Sequence, residues 1–399
     1  MTRLNSLTRR FAAMSRPRRY GIAAAAAAAV LALAGASTLL ATQPGAHHEA
    51  AAGHSGRLRL SAEDCSGPTG AAYVADAGYQ AFTAIDTANC TVIQSYNVGD
   101  TSVPGDSSDT NYSGTDEGIA LHGSNLYFAV TGDSQVAVID TATLNPSNYS
   151  PAETLINVGL FPQDLAVSPD GSQLWVADTG PQTSPSSPSG IAVISTATNK
   201  VTAKMRLQGQ PSQVTFSPSG AEAYVVTSSG VAVFDTATMR QVGEISGVGQ
   251  PHGIAVSPDG KTVYVADTTD GTLDVVNAST DQVAQRIQVG QLPWAVTLSA
   301  DGDTAYVANA DSDSVSVINT VTGAVTHTVT VAGDPDALAL TPDGTQLWVG
   351  EQAGGEVTVI DTATDADVGV VDLGGTAAQS GDGLEPTGLV LTTTPTPGS

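Results

Sequence analysis

Ser257-Pro258-Asp259-Gly260-Lys261-Thr262-Val263-Tyr264-Val265-Ala266-Asp267 is the phrase on which the fold turns. Its first four residues are turn chemistry. Proline presets its own φ, aspartate hydrogen-bonds backbone N–H groups just ahead of it, and glycine takes the positive φ that closes the turn. The β-branched and aromatic run that follows reads as a strand. Before the turn, Gly253-Ile254-Ala255-Val256 reads as another. The turn returns as Ser168-Pro169-Asp170-Gly171, Ser217-Pro218-Ser219-Gly220, Ser299-Ala300-Asp301-Gly302 and Thr341-Pro342-Asp343-Gly344. The closing glycines are 49, 40, 42 and 42 residues apart, which is the period of a repeat architecture. A third strand ends in Asp140-Thr141-Ala142-Thr143, Asp235-Thr236-Ala237-Thr238 or Asp361-Thr362-Ala363-Thr364, and a fourth closes on a phrase such as Val289-Gly290.

Four short strands per repeat make a small twisted sheet that is apolar on both faces. Such a sheet cannot fold alone. Packed radially, it buries its faces against its neighbours, and the ring removes most free edges. The sequence therefore predicts an all-β protein: a seven-bladed β-propeller of four-stranded blades. The second strands carry Tyr73, Tyr127, Trp175, Tyr224, Tyr264, Tyr306 and Trp348. Blade 1 has no first strand of its own, whereas Glu385-Pro386-Thr387-Gly388-Leu389-Val390-Leu391 reads as a first strand with no blade after it. The C-terminal strand is expected to complete blade 1 and close the ring. Residues 71–393 then form one domain, 43–70 a tether and 394–399 a tail.

Tyr264-Val265-Ala266-Asp267, Val359-Ile360-Asp361-Thr362-Ala363-Thr364 and Ser257-Pro258-Asp259-Gly260 resemble the repeat of YVTN-family (YncE-like) β-propeller proteins, over about 320 residues. The resemblance implies an exported seven-bladed propeller. It implies no one ligand, because members include binding proteins, surface-layer components and relatives of propeller enzymes. Blade 2 departs from the pattern, with His122-Gly123-Ser124 in place of the Pro-Asp-Gly turn.

Charge sorts the chain into two parts. Lys and Arg number 14 against 39 Asp and Glu, a formal charge of −25. Six of the cations, Arg3, Arg9, Arg10, Arg16, Arg18 and Arg19, precede an uncharged run over 21–42. At 1.5 Å per helical residue that run would span roughly 33 Å, so residues 1–42 read as an export signal or as an uncleaved membrane anchor. Either way the remainder is expected outside, secreted or on the extracellular face of the membrane. The acidic remainder argues against nucleic acid, whose binding rests on cations that neutralise phosphates. The two cysteines, Cys65 and Cys90, are expected to form a disulfide in an exported chain, with free thiols as the alternative.

In a propeller the loops from fourth to next first strand and from second to third share one face, here called the top. Insertions at 99–118, 179–190 and 375–385 are expected there, and the loop 144–153 at the bottom. Lys200, Lys204, Arg206, Arg240, Lys261 and Arg286 fall on fourth strands or bottom turns, so neither the top face nor the channel mouth is expected to carry a cation. Asp76, Asp178, Asp267, Asp270, Asp311, Asp313 and Glu351 are expected at the top, where Asp76, Asp178 and Asp267 either hydrogen-bond turn backbones or join an acidic face. The channel-mouth ligand candidates are Glu117, Asp164, His252, Trp294, Asp336 and Glu385. Asp311 and Asp313 are the metal candidates, for Ca²⁺ or another divalent cation, since clustered carboxylates attract hard cations.

These features predict a monomeric, non-catalytic binding module for an extracellular protein, a glycan or cations. The alternative is a metal-assisted, lactonase-like hydrolase built on Glu117, Asp164, His252, Asp336 and Glu385, or a dehydrogenase-related subunit. The sequence holds no Gly-x-Ser-x-Gly elbow, dinucleotide fingerprint or Cys-x-x-Cys-His haem site.

Overall fold

The pairing of Ala71–Asp76 with Pro386–Thr392 sets the architecture. Tyr73 lies opposite Val390 and Val74 opposite Leu389, antiparallel, so the two ends of the domain share one sheet. The structure is a computed structural model that describes residues 59–60, 65, 68–76, 80–98, 118–180, 189–373 and 386–394. Seven four-stranded antiparallel sheets are arranged as blades. Blade 5 is typical, with strands Pro251–Val256, Thr262–Asp267, Thr272–Asn277 and Gln282–Gln288 from channel to rim. In blade 1 the C-terminal strand is innermost, followed by Ala71–Asp76, Ala81–Asp86 and Thr91–Asn97.

The apolar pattern follows from position in the blade. The Tyr-Val-Ala-Asp second strands are buried on both faces, because each is sandwiched between neighbouring blades. Fourth strands such as Lys200–Arg206 alternate between exposed and half-buried residues. Each core cluster draws on two consecutive blades. One joins Trp175 and Ile191 of blade 3 to Phe216 and Phe234 of blade 4. At the closing seam Ala72, Val74 and Leu389 of blade 1 pack on Trp348, Val357 and Val359 of blade 7. Trp175 and Trp348 are wholly buried. Removing apolar side chains of this size from water supplies about 1.5–3 kcal/mol each, the term that holds blade to blade.

The two repeated turn phrases interlock at the bottom. Ser257 Oγ donates to Asp259 Oδ1 at 2.7 Å and accepts from Thr262 N–H at 3.0 Å. The first threonine of the Asp-Thr-Ala-Thr phrase, or of its Ser195 and Asn319 variants, donates to the carbonyl of the glycine that closes the Pro-Asp-Gly-type turn. Thr196 reaches Gly171, Thr236 reaches Gly220, Thr320 reaches Gly302 and Thr362 reaches Gly344, each at 2.6 Å. The Ser168 hydroxyl and the Ser172 hydroxyl and N–H hold the Asp170 carboxyl down to about 2. Asp301 is lowered in the same way by Ser299 and by the Asp303 N–H.

The described residues of the segment read as a tether are tied to the wheel. Arg59 forms a parallel bridge with Val370 on the outer strand of blade 7, Leu60 N–H donates to Val370 O at 2.8 Å, and Arg59 pairs with Asp372. Cys65 and Cys90 are joined by a disulfide, with Cα atoms 5.7 Å apart. Just beyond it, Thr87 Oγ1 donates to Pro68 O at 2.6 Å. The seam between blades 7 and 1 is thus closed twice, by the C-terminal strand inside and by this strap outside. The loop 144–153, expected at the bottom, reaches back to blade 1, where Asn97 N–H donates to Tyr149 O at 2.8 Å. That contact caps an outer edge strand that would otherwise expose unpaired N–H groups.

Because the disulfide closes a loop with a sequence separation of 25, its removal relaxes the unfolded chain. Cys65→Ser or Cys90→Ser is expected to lower the unfolding free energy by about 3 kcal/mol in urea titrations under oxidising conditions, and the two variants together by no more than either alone.

Candidate ligand site at the channel mouth

Six of the innermost strands open on a buried proline: Pro162, Pro211, Pro251, Pro293, Pro335 and Pro386. Proline suits this position because it has no N–H to give to the ladder. The register then slips. Pro162 faces Asp178 and Asp164 faces Ala177, so Gln163 is an extra residue, a β-bulge. The same slip follows the other five prolines. The residue directly after each proline is Gln163, Ser212, His252, Trp294, Asp336 or Thr387, and all six are half-buried. The backbone is strained just ahead of three of these prolines. Phe161, Leu292 and Asp334 have φ of 56°, 52° and 49°, a region where bulky side chains rarely sit.

His252 and Trp294 form the centre of the candidate site. Their rings stack with centroids 3.5 Å apart and planes 28° from parallel. His252 Nδ1 lies 3.1 Å from Trp294 O. A carbonyl only accepts, so in the neutral imidazole Nδ1 carries the proton and Nε2 the lone pair. Gly253 makes this approach possible, since a Cβ there would lie 2.5 Å from Trp294 O. Asp336 follows on the next innermost strand, with both carboxylate oxygens shielded from solvent. Asp164 is turned sideways, and its Oδ2 accepts from Val214 N–H of blade 4 at 2.8 Å. It ties two blades together. Glu117 and Glu385 lie outside the described residues. Gln163, Ser212 and Thr387 hold the equivalent position in their blades and are not among the candidates read from the sequence. Their signal is the residue after each strand-opening proline, whatever its type.

Most of the carboxylates expected to make the top face acidic are turned inward. Asp76, Asp178, Asp267 and Glu351 are at most 4 % exposed. Each ends a second strand, and several hold the Val-Gly loop entering from the preceding blade. Asp267 accepts from Gly249 N–H at 2.5 Å and from Gln250 N–H at 3.1 Å. Asn309 takes the same place in blade 6 and accepts from Gly290 N–H at 3.0 Å. Glu351 accepts from Thr358 Oγ1 within its own blade. Turn-backbone bonding is therefore the role of Asp178 and Asp267. Asp311 and Asp313 are exposed, and Asp313 Oδ1 accepts from Asp334 N–H at 3.1 Å. Among the described residues no three His, Cys, Asp or Glu side chains are grouped to hold a metal ion.

The expectation of a cation-free top needs one correction. Lys204 Nζ donates to Val158 O at 2.9 Å, and Arg286 Nη2 to Gly247 O at 2.5 Å. Both reach from fourth strands to loops that enter at the top. Arg286 also lies 3.3 Å from the buried Asp274. Their length carries the charge from the rim to the top loops, which strand assignment alone does not reveal. Among the described residues that follow the strand-opening prolines there is no Lys or Arg.

The sequence model of the YncE-like β-propeller family matches residues 246–355, and that of the choice-of-anchor I domain matches residues 64–267. The chain belongs to the YncE-like β-propeller proteins, and to the choice-of-anchor I domain family. No curated protein matches it. This YncE-like propeller is similar to the crystal structure of a functionally unknown protein from Desulfotomaculum acetoxidans DSM 771, at 17% identity and a TM-score of 0.62, covering 82% of this chain and 99% of that one. It is also similar to Kuenenia stuttgartiensis hydrazine synthase, at 19% identity and a TM-score of 0.58, covering 72% of this chain and 90% of that one. At these identities the likeness is one of fold.

Asp178 gives the YncE-like propeller a pH signature. Burial pushes its carboxyl up to about 7, against the opposing pull of the Gly159 N–H and Lys204. The native state therefore binds a proton that the unfolded chain, with an ordinary carboxyl near 3.9, does not. That contribution is absent above pH 7, grows as pH falls, and is complete near pH 4. The lowered bottom-turn aspartates act in the opposite sense below pH 4, where protonation removes their turn bonds. Urea midpoints are expected to peak between about pH 4 and 6. Asp178→Asn, which copies Asn309, is expected to flatten the rise between pH 8 and 5 without loss of the fold.

Proposed function

We propose that this protein is a surface-displayed, non-catalytic binding module that uses the mouth of its propeller channel to hold a ligand. One observation carries the reading: a ring of half-buried side chains, centred on stacked His252 and Trp294, set by repeated bulges on the innermost strands. Bulges re-aim side chains and concentrate near functional sites, and rigid strands hold such residues more exactly than loops do. Membership of the choice-of-anchor I family and the basic, then apolar, stretch over 1–42 support display outside the cell, either anchored or exported. A metal-assisted hydrolase would require Asp164 to converge with His252 and Asp336. The Asp164 carboxylate accepts from the Val214 N–H instead, and this weighs against that alternative.

Two measurements test the proposal. Protease added to intact cells is expected to degrade the propeller, and deletion of residues 1–42 is expected to leave it protected inside. Purified full chain is expected to turn over no member of a lactone panel, with or without added zinc or calcium. Turnover that His252→Ala abolishes would replace the binding reading with the hydrolase.

A further inference from the structure

The residues that follow the strand-opening prolines are, around the ring, Gln163, Ser212, His252, Trp294, Asp336 and Thr387. Amide, hydroxyl and imidazole groups predominate, with one indole, no cation and a single carboxylate, Asp336, whose oxygens are shielded from solvent. We infer that this ring is a carbohydrate subsite, in which Trp294 takes the apolar face of a neutral sugar ring and the polar groups around it take the sugar hydroxyls. The inference rests on the channel mouth being the binding site.

The chemistry of the ring excludes ligands one class at a time. An anion would meet no cation there and would approach a chain of net charge −25. A hard cation wants six or more oxygen ligands with several carboxylates among them, and no such group occurs among the described residues. A sugar ring is neutral and carries C–H groups on its faces and hydroxyls at its edge. It therefore needs one large apolar plane surrounded by neutral donors and acceptors. Indole supplies the plane and a polar N–H at its edge. Gln163, Ser212 and Thr387 supply groups that donate and accept. His252 acts as a positioning residue. Its stack on the indole and the Nδ1 bond to Trp294 O hold the platform before a ligand arrives, which lowers the ordering cost of binding.

The protein contains its own reporter. Of three tryptophans, Trp175 and Trp348 are wholly buried between blades, so the half-buried Trp294 is the one a channel ligand can reach. Full chain would be titrated with cellobiose, maltotriose, mannobiose and chitotriose, and in parallel with tetramethylammonium chloride, calcium chloride and sodium phosphate, with calorimetry beside tryptophan emission. At least one saccharide is expected to change the emission saturably. Trp294→Ala is expected to remove that change and to weaken calorimetric binding at least about tenfold, and Trp294→Phe to retain part of the affinity. Both variants are expected to keep the wild-type circular-dichroism spectrum, with a lower melting temperature for Trp294→Ala than for Trp294→Phe. No saccharide response, or one that survives Trp294→Ala, overturns the inference. A response only to tetramethylammonium or calcium that Trp294→Ala removes overturns the sugar and leaves the binding module standing. Silence from every probe overturns the channel-mouth site itself.

Discussion

In a ring of sheets each blade buries both its faces only when both neighbours are present. The antiparallel pairing of Pro386–Thr392 with Ala71–Asp76 satisfies this constraint. It makes Pro386–Thr392 the innermost strand of the first blade, so blade 1 is complete only once that strand is added. The seam this creates is held by pairing between the two ends of the domain and not by continuous chain. Reinforcement is found there: the Cys65–Cys90 disulfide, the Arg59–Asp372 pair and the short parallel bridge at Val370 all lie beside it. Removing the C-terminal strand would leave Leu389 missing from the core it shares with Trp348, and would expose the inner edge of Ala71–Asp76.

Polar side chains divide their work between the two ends of each blade. At the bottom, exposed aspartates and threonines tie turn to turn, and the carboxylates stay charged because hydroxyl and amide donors surround them. At the top, acids and amides are buried and hold the loop arriving from the preceding blade. Burial there works against the charge, as Asp178 and Asp274 show, and Lys204 and Arg286 partly offset it from the rim. Much of the acidity of the chain is thus structural, and a simple charge count overstates how acidic the top face is.

The channel mouth differs from both ends in being half-buried and variable in side-chain type. Its backbone is uniform, with a buried proline, a bulge and then a regular strand in six blades. Uniform backbone with variable side chains is how one repeat can present a ligand ring whose chemistry is set residue by residue.

The sequence by itself determined the number of blades, the strand order and the closing strand. These follow from local turn chemistry and from a repeated pattern in which every face is apolar, and both are written in neighbouring residues. It also put Asp164, His252, Trp294 and Asp336 near the starts of first strands, where the structure has them. Only the tertiary structure decided what the polar groups do. Whether Asp164 faces the channel or the Val214 N–H, and whether Asp267 is a surface charge or a buried acceptor for Gly249 and Gln250, depends on a neighbouring blade some forty residues away or more, or on a loop entering from one. The stacking of His252 on Trp294 depends likewise on two strands meeting only when the wheel is assembled. Strand alternation tells which face a residue is on, but a bulge resets that alternation, and which partner then lies within hydrogen-bond reach is fixed by the packing of separate sheets.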